Sequence, residues 1–483
     1  MNFKMIGRLI AFILLVEAVV MVPPALISVF DGDMADFSAF LVSMGVTLIC
    51  AGALYLPCRN AKKNFYSREG LVCVGLSWIA LSFFGSLPFL LSNSIPRFID
   101  ALFEIVSGFT TTGASILTDV EALGRGMLYW RSFSHWLGGM GVLVFLLAIV
   151  PISGRNSGFS VHLLRAESPG PTVEKLVPRM RGTAEILYFM YIALTVLDII
   201  FLLVGGLPLF DALCIAFGTA GTGGFSILNS GFADYSPYIQ NVTTVFLMLF
   251  GVNFNCYYLL LMRQFRSIKK DEEIKLYFGF AALATFLITC NTFKMYSSMT
   301  ETARHAAFQV ASIMTTAGFA TTNFDLWPSF SKMILFMLML IGACAGSTGG
   351  GFKFSRVLIL AKSLRRRTRQ ILYPQNVQVV RLSGQTVNEH VVNKTAMYLV
   401  GYMFIIVLSS LVISLDNFSI TTNLSAVVAC FNNIGPGFEM VGAVGNYSAF
   451  SDFSKLVLIF DMLAGRLEIF PILVLFSRRT WKR

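Results

Sequence analysis

Charge is what this chain has least of. Asp, Glu, Lys and Arg make up only 13% of its 483 residues, about half the share of an average soluble domain. The shortage runs the whole length, hydrophobic residues reach 55%, and mean hydropathy is +0.71. Cysteine pairs are also missing. The eight cysteines (50, 58, 73, 214, 256, 290, 344, 430) are scattered, which excludes a disulfide framework or a zinc knuckle and leaves them as small apolar helix residues. The four histidines (135, 162, 305, 390) show no metal-ligand spacing. No cluster of His, Asp or Glu marks one face, and the longest polar connector, 353–394, is too short for a catalytic domain. An enzyme is therefore not expected. What is abundant is Phe, at 45 against five Trp, and glycine, at 40. The composition points to an all-α polytopic membrane protein.

A helix needs about 20 apolar residues to cross a bilayer. Ten segments qualify: 6–30, 38–57, 71–92, 131–152, 184–206, 238–262, 275–294, 330–361, 394–415 and 453–477. The first has a basic start but no small-residue cleavage site, and reads as a retained span. Four shorter apolar stretches, 98–110, 209–219, 302–315 and 422–432, cannot span and fit re-entrant helices. If both termini, 58–70, 153–183, 263–275 and 353–394 share one side, that side holds 29 of the 37 Lys and Arg. It is then cytoplasmic, with both termini inside. This loop asymmetry accounts for the net charge of +11, so nucleic acid is not expected as a partner and the lipid bilayer is. The run Arg365-Arg366-Arg367-Thr368-Arg369 is compatible with anionic lipid or a cytoplasmic partner; simple topology explains it equally well. The opposite side carries 14 acidic residues, among them Asp31, Asp33, Asp36, Asp100, Glu104 and Asp211, against seven basic ones. They are either a cation-concentrating outer mouth or ordinary loop residues.

After a two-helix extension (1–60), the order span, short helix, loop, span occurs four times, at 68–152, 183–262, 272–361 and 392–478. Wording repeats as well: Asp100-Ala101-Leu102 answers to Asp211-Ala212-Leu213, and Ser107 and Ser312 each stand six residues before a loop glycine. The four loops are Thr110-Thr111-Thr112-Gly113, Ala220-Gly221-Thr222-Gly223, Thr315-Thr316-Ala317-Gly318 and Asn432-Asn433-Ile434-Gly435. A short helix that stops partway across aims its carbonyl end at a central cavity, which favours a cation. Bare backbone at that depth is tolerated only where it is buried or lines a pore. Four such strands around an axis would give rings of carbonyl oxygens that replace the hydration shell of a potassium-sized ion. Single glycines at helix contacts are common in membranes; four after four non-spanning helices form a pattern. In repeat two the short helix stands one residue closer to its loop glycine.

Two features lie outside the loops. Gly346-Ser347-Thr348-Gly349-Gly350-Gly351, with Lys353 two residues on, interrupts the long apolar run of repeat three. It superficially resembles a phosphate-binding loop, but lacks the preceding strand and the Gly-Lys-Ser/Thr ending. It reads as an intramembrane gate loop, 345–351. Arg466 lies inside the last span, where an arginine costs at least about 2.5 kcal/mol unless it faces a polar interior. It either bonds the glycine loop beneath the filter or pairs with Asp461 or Glu468. Glu17 and Asp198, also within spans, are expected to make structural hydrogen bonds.

The four loops, Trp136–Gly141 (WLGGMG), Gly346–Lys353 (GSTGGGFK), Asn432–Gly437 (NNIGPG) and Gly465–Phe470 (GRLEIF) resemble the Trk/Ktr/HKT superfamily of potassium transporters. The two extra N-terminal spans make the chain similar to its TrkH branch. The resemblance covers essentially the whole length. It implies a homodimer with one potassium (K+) pore per subunit in the cell membrane, and a cytoplasmic nucleotide-binding ring of the TrkA type. It also implies that the glycine loop and Arg466 form the gate region, and that glycine at the first-repeat position, Gly113, favours potassium. Channel-like conduction and symport with sodium or protons share this architecture and stay open at this point.

Overall fold

The computed structural model describes residues 1–61, 66–141, 180–375 and 378–481. The second half of the expected span 131–152 and most of the connector 153–183 lie outside the described residues. Among them, six helices are long and apolar enough to cross a membrane: Phe3–Phe30, Met34–Cys58, Ser67–Leu91, Glu185–Val204, Glu272–Thr292 and Glu389–Asp416. Phe3–Phe30 is interrupted at Met21, where Pro23 and Pro24 stand in the first turn of the second half. Most of these helices begin at a polar side chain that caps the first turn. Asn2, Asp33, Asp271 and Asn388 accept from Met5 N, Asp36 N, Glu273 N and His390 N. Their outward faces keep large apolar residues exposed; Phe404, Val407 and Leu411 are 66%, 63% and 68% accessible. That surface suits hydrocarbon rather than water.

The element order confirms the helical polytopic architecture. Four times, a long helix is followed by a short one, an extended segment and a second helix. The short helices are Phe98–Phe109, Leu209–Gly221, Met299–Met314 and Ile420–Phe431. At about 1.5 Å per residue none crosses a 30 Å core. They are packed inside, with Phe103, Phe109, Ala216, Phe308 and Val428 essentially inaccessible.

The second helices correct the count of ten continuous spans. Pro237–Phe250 and Phe254–Leu261 meet at 89°. Ser329–Ile341 and Phe354–Leu372 are separated by the glycine loop, and Asp452–Arg466 and Phe470–Phe476 by Leu467-Glu468-Ile469. Arg125–Gly139 likewise stops at Met140, before Gly141 at φ +76°. Each break falls where the second helix passes the end of a short helix. Gly138 and Gly465 lie so close to the carbonyls of Phe109 and Phe431 that any side chain would collide with them. One element departs from an all-α plan: a two-residue antiparallel hairpin, Arg381–Leu382 with Gln385–Thr386, in the long basic connector.

Candidate ion pathway

All four short helices end in the same way. The N–H groups of Thr112, Gly223, Ala317 and Ile434 bond the carbonyls of Ser107, Gly218, Ser312 and Ala429 at 2.8–2.9 Å. The preceding residues, Thr111, Thr222, Thr316 and Asn433, are left-handed, with φ between +52° and +62°. This is a Schellman ending, usually built on glycine. Here non-glycine residues occupy it, three of them β-branched, at a cost of about 1–3 kcal/mol each. Two of the side chains show what holds that conformation in place. Thr316 Oγ1 accepts from Gly350 N at 2.6 Å. Asn433 Nδ2 donates to Thr112 Oγ1 and to Met462 O, both at 3.0 Å.

The next residue but one is a glycine at φ +77°, +82°, +82° and +91°: Gly113, Gly224, Gly318 and Gly435. A Cβ on each would strike the strand of the next repeat. Gly113 faces Gly223 O, Gly224 faces Ala317 O, Gly318 faces Ile434 O, and Gly435 faces Thr112 O. The contacts close a ring in the order one, two, three, four, one. Four strands therefore converge on one axis, each with its backbone against its neighbour's carbonyl.

This geometry corrects one register. The residue equivalent to Gly113 in repeat two is Gly224, not Gly223. Gly221, Thr222 and Gly223 stand where Thr110, Thr111 and Thr112 stand in repeat one, and Ala220 lies in the last turn of the helix. The sequence carried a usable signal: Gly224 lies thirteen residues after Asp211, as Gly113 does after Asp100. Gly223 is glycine for a different reason, because its Cα lies against the ring of His135. His135 ties the two strands together: Nδ1 bonds Gly108 O at 2.7 Å while Nε2 accepts from Phe225 N at 3.2 Å, so the ring is neutral with its proton on Nδ1.

Beyond the ring lies a vestibule of about 290 Å³ lined by Gly113, Gly224, Gly318 and Gly435 and the strands that follow them. No Asp or Glu is among its lining residues. Three of the six acidic residues named on this side are instead paired with basic ones. Glu104 is buried against Arg131 at 2.8 Å, Asp100 pairs with Lys455 at 2.6 Å, and Asp31 with Arg125 at 3.0 Å.

On the opposite side of the ring, the glycine loop packs against the ends of two of the short helices. Cβ atoms on Gly349 and Gly350 would contact the carbonyl oxygens of Thr315 and Asn432, so the loop lies directly against the base of the strands. It is held by backbone bonds that the broken helix leaves free. Ala345 N and Ser355 N both donate to Glu273 Oε1, at 2.8 and 2.9 Å. Cys344 N bonds Gly251 O at 3.1 Å, Thr348 Oγ1 donates to Phe250 O at 3.2 Å, and Lys353 Nζ donates to Gly349 O at 2.6 Å. Gly346 and Gly351 take positive φ, and Ser347 Oγ closes a turn on Cys344 O. Arg466 lies beneath the ring: Nη1 donates to Thr348 O at 2.8 Å, and Nη2 to Gly139 O at 2.7 Å and to Gly138 O. One guanidinium thus ties the loop of repeat three to the end of the helix Arg125–Gly139 in repeat one. Glu468 instead pairs with Arg356, whose guanidinium lies 4.1 Å over Tyr398, and Asp461 accepts from Ser409 at 2.8 Å.

Glu17 and Asp198 do not make the expected hydrogen bonds: both carboxyls are buried without a hydrogen-bond partner among the described residues. Nothing in the structure gives them a role. No group of three potential metal-ligating side chains occurs among the described residues; the oxygens at the axis are those of the backbone.

Residues 37–482 match the sequence model of the TrkH cation transport protein family. The chain is 35% identical over 494 residues, covering all of both chains, to the Trk system potassium uptake protein TrkH of Salmonella typhimurium. It is 29% identical over 491 residues to the Trk system potassium uptake protein TrkG of Escherichia coli, covering 100% of this chain and 99% of that one. Among solved structures it superposes on the potassium transporter TrkH from Vibrio parahaemolyticus with a TM-score of 0.89, at 32% identity and with full coverage of both chains. Transport is thus its business, not enzymatic catalysis, and the chain belongs to the TrkH family of cation transport proteins.

Proposed function

We propose that this protein takes up potassium across the cell membrane through the ring of backbone strands. The closed cycle of contacts from Gly113 to Gly223, Gly224 to Ala317, Gly318 to Ile434 and Gly435 to Thr112 carries the reading. The ions would be held by carbonyls of Thr110–Gly113, Gly221–Gly224, Thr315–Gly318 and Asn432–Gly435, in four repeats at 68–152, 183–262, 272–361 and 392–478. Carbonyl oxygens replace water around the ion without the charge of a carboxylate, so that an ion can enter and still leave.

The glycine loop and Arg466 close the pathway from below. A fixed positive charge beneath a cation filter opposes ion entry, and a loop resting on the strand carbonyls blocks the axis. Opening requires both to move. The basic side is cytoplasmic by its Lys and Arg excess, so both termini and the helix Phe354–Leu372 face the cytoplasm. That helix runs directly out of the glycine loop, which makes it a natural lever for a nucleotide-binding cytoplasmic ring. The relatives are named as members of a Trk system, consistent with separate regulatory subunits, and the unit is a homodimer with one pore per chain.

The test is rubidium uptake by purified protein in liposomes, with and without the ring. The reading requires competition by potassium but not by equal sodium, and faster uptake with the ring. Equal competition by sodium would refute the filter.

A further inference from the structure

Behind its filter strand, repeat one differs from the other three. Glu104 lies nine residues before Gly113 on the first short helix and is fully inaccessible, and Arg131, on the following helix, is 2% exposed. Arg131 Nε and Nη2 both reach Glu104 Oε1, at 2.9 and 2.8 Å. The carboxylate also accepts Ser115 Oγ at 2.9 and 3.1 Å and Ile116 N at 3.0 Å. Ser115 and Ile116 continue the strand that Gly113 begins. The guanidinium reaches the neighbouring strand: it lies 4.1 Å over the ring of Phe225, which follows Gly224, and Nη1 donates to Ser226 O at 3.3 Å. From Ser115 the contacts pass to repeat four. Ser115 O accepts Tyr447 N at 2.9 Å, and Tyr447 Oη donates to Gly435 O at 2.7 Å.

One buried ion pair therefore touches the strands of repeats one and two, and through Tyr447 that of repeat four. At the register of Glu104 the other repeats carry Ile215, Gln309 and Ala426. A buried ion pair is rarely more stabilising than an apolar pair of the same volume, and three repeats build the same Schellman ending without one. Stability of the short helix alone does not account for it. Its partners do: Ser115 Oγ and Ile116 N, which donate to the carboxylate, and Ser226 O, which accepts from the guanidinium, all lie on the segments that follow Gly113 and Gly224.

We propose that Glu104 and Arg131 are positioning residues that clamp the filter strands of repeats one, two and four at the spacing a dehydrated potassium-sized ion needs, and so set discrimination against sodium. The clamp rests on the filter reading above. Its effect is on selectivity more than on rate, because the pair acts through the strands and not on the gate.

The experiment uses the full-length protein in liposomes and measures rubidium uptake against competing potassium, sodium and caesium. Glu104→Gln, Arg131→Lys and Ser115→Ala are compared with wild type, and Asp198→Asn serves as a buried-carboxyl control. The clamp predicts that sodium competes on the order of tenfold better in Glu104→Gln. Smaller shifts in the same direction are expected for Arg131→Lys and Ser115→Ala, and none for Asp198→Asn. Wild-type ion order and competition ratios in folded, monodisperse variants would overturn it. If Glu104→Gln does not fold, Ser115→Ala decides, since it leaves the ion pair intact: an unchanged ratio overturns the clamp. A wild type without preference for rubidium over sodium would overturn the filter and the clamp together. A selective wild type with insensitive variants overturns the clamp alone.

Discussion

Above the base of the filter the molecule is nearly fourfold; below it, it is not. Every repeat contributes the same helix ending, the same left-handed residue and the same positive-φ glycine. Beneath them, repeat three supplies the glycine loop, repeat four supplies Arg466, and repeat one supplies only the carbonyls of Gly138 and Gly139 that Arg466 bonds. The difference separates two tasks. Holding an ion needs equal oxygens on all sides. Closing a path needs one object that can move away, and four copies of a loop would not fit on one axis. On the proposed reading, the near-symmetric layer carries selectivity, with the Glu104–Arg131 clamp behind one of its strands, and the asymmetric layer carries the gate.

The strongest way to break this division is to disturb one strand of the ring. Gly224→Ala places a Cβ against Ala317 O at φ +82°. A backbone clash and a left-handed strain of together about 3 kcal/mol correspond to roughly a 100-fold loss of selective rubidium uptake. Gly113→Ser meets Gly223 O and is expected to fall nearly as far, with sodium entering where it did not. Similar uptake and ion order in either variant would contradict the ring.

Disturbing the asymmetric layer is expected to do the opposite. Gly350→Ala would push the loop off Asn432 O, and deleting 347–350 would remove it. Rubidium uptake without the cytoplasmic ring should then rise, on the order of tenfold for a contact worth about 1.4 kcal/mol. Ion order should shift far less than in the ring variants, since the strands lose only the bond from Gly350 N to Thr316 Oγ1. Arg466→Ala removes the bonds to Thr348, Gly138 and Gly139 and is expected to raise basal uptake several-fold, with Arg466→Lys in between because one ammonium cannot reproduce the planar fork. Lower uptake in folded protein would count against the gate.

The smallest effect concerns pH at the outer face. Since the vestibule has no lining carboxylate, protons there have little to act on. Glu439, in the loop after the fourth strand, has its carboxyl held below the usual value, first by its bond from Ser419 and also by Thr422. Its folded pKa is depressed, so its contribution is fully present above the ordinary carboxylate range near 4.3 and is lost as pH falls through the lower folded value. Uptake should therefore be flat from about pH 5 to pH 8 as far as the vestibule and Glu439 are concerned. A marked change in that window on acidifying the vestibule side would point to a titrating group in the pathway.

Much of the fold was legible because hydrocarbon imposes length: spans and non-spanning helices separate on apolar run alone. The three loops with a tight match, 110–113, 315–318 and 432–435, were legible as well. Repeat two is ambiguous by one residue because it offers glycines at 221, 223 and 224, and composition does not tell a glycine needed for φ from one needed for His135. The helix end at Met140 and the breaks at 251–253 and 467–469 leave no mark in the sequence pattern. Each lies inside an apolar run, and what breaks the helix is the neighbouring short-helix end, a tertiary contact. Glu104 is indistinguishable in sequence from the external acids for the same reason. Its partner Arg131 is 27 residues away, and no local pattern joins them.

The central claim is that four backbone strands form one potassium-selective ring. It is tested most directly by the reversal potential across a planar bilayer holding the purified protein and the proposed cytoplasmic ring, with potassium on one side and sodium on the other. The account predicts a potential close to that of a potassium-selective membrane, collapsing toward zero in Gly113→Ser. A wild-type potential near zero, or one that Gly113→Ser leaves in place, would contradict it.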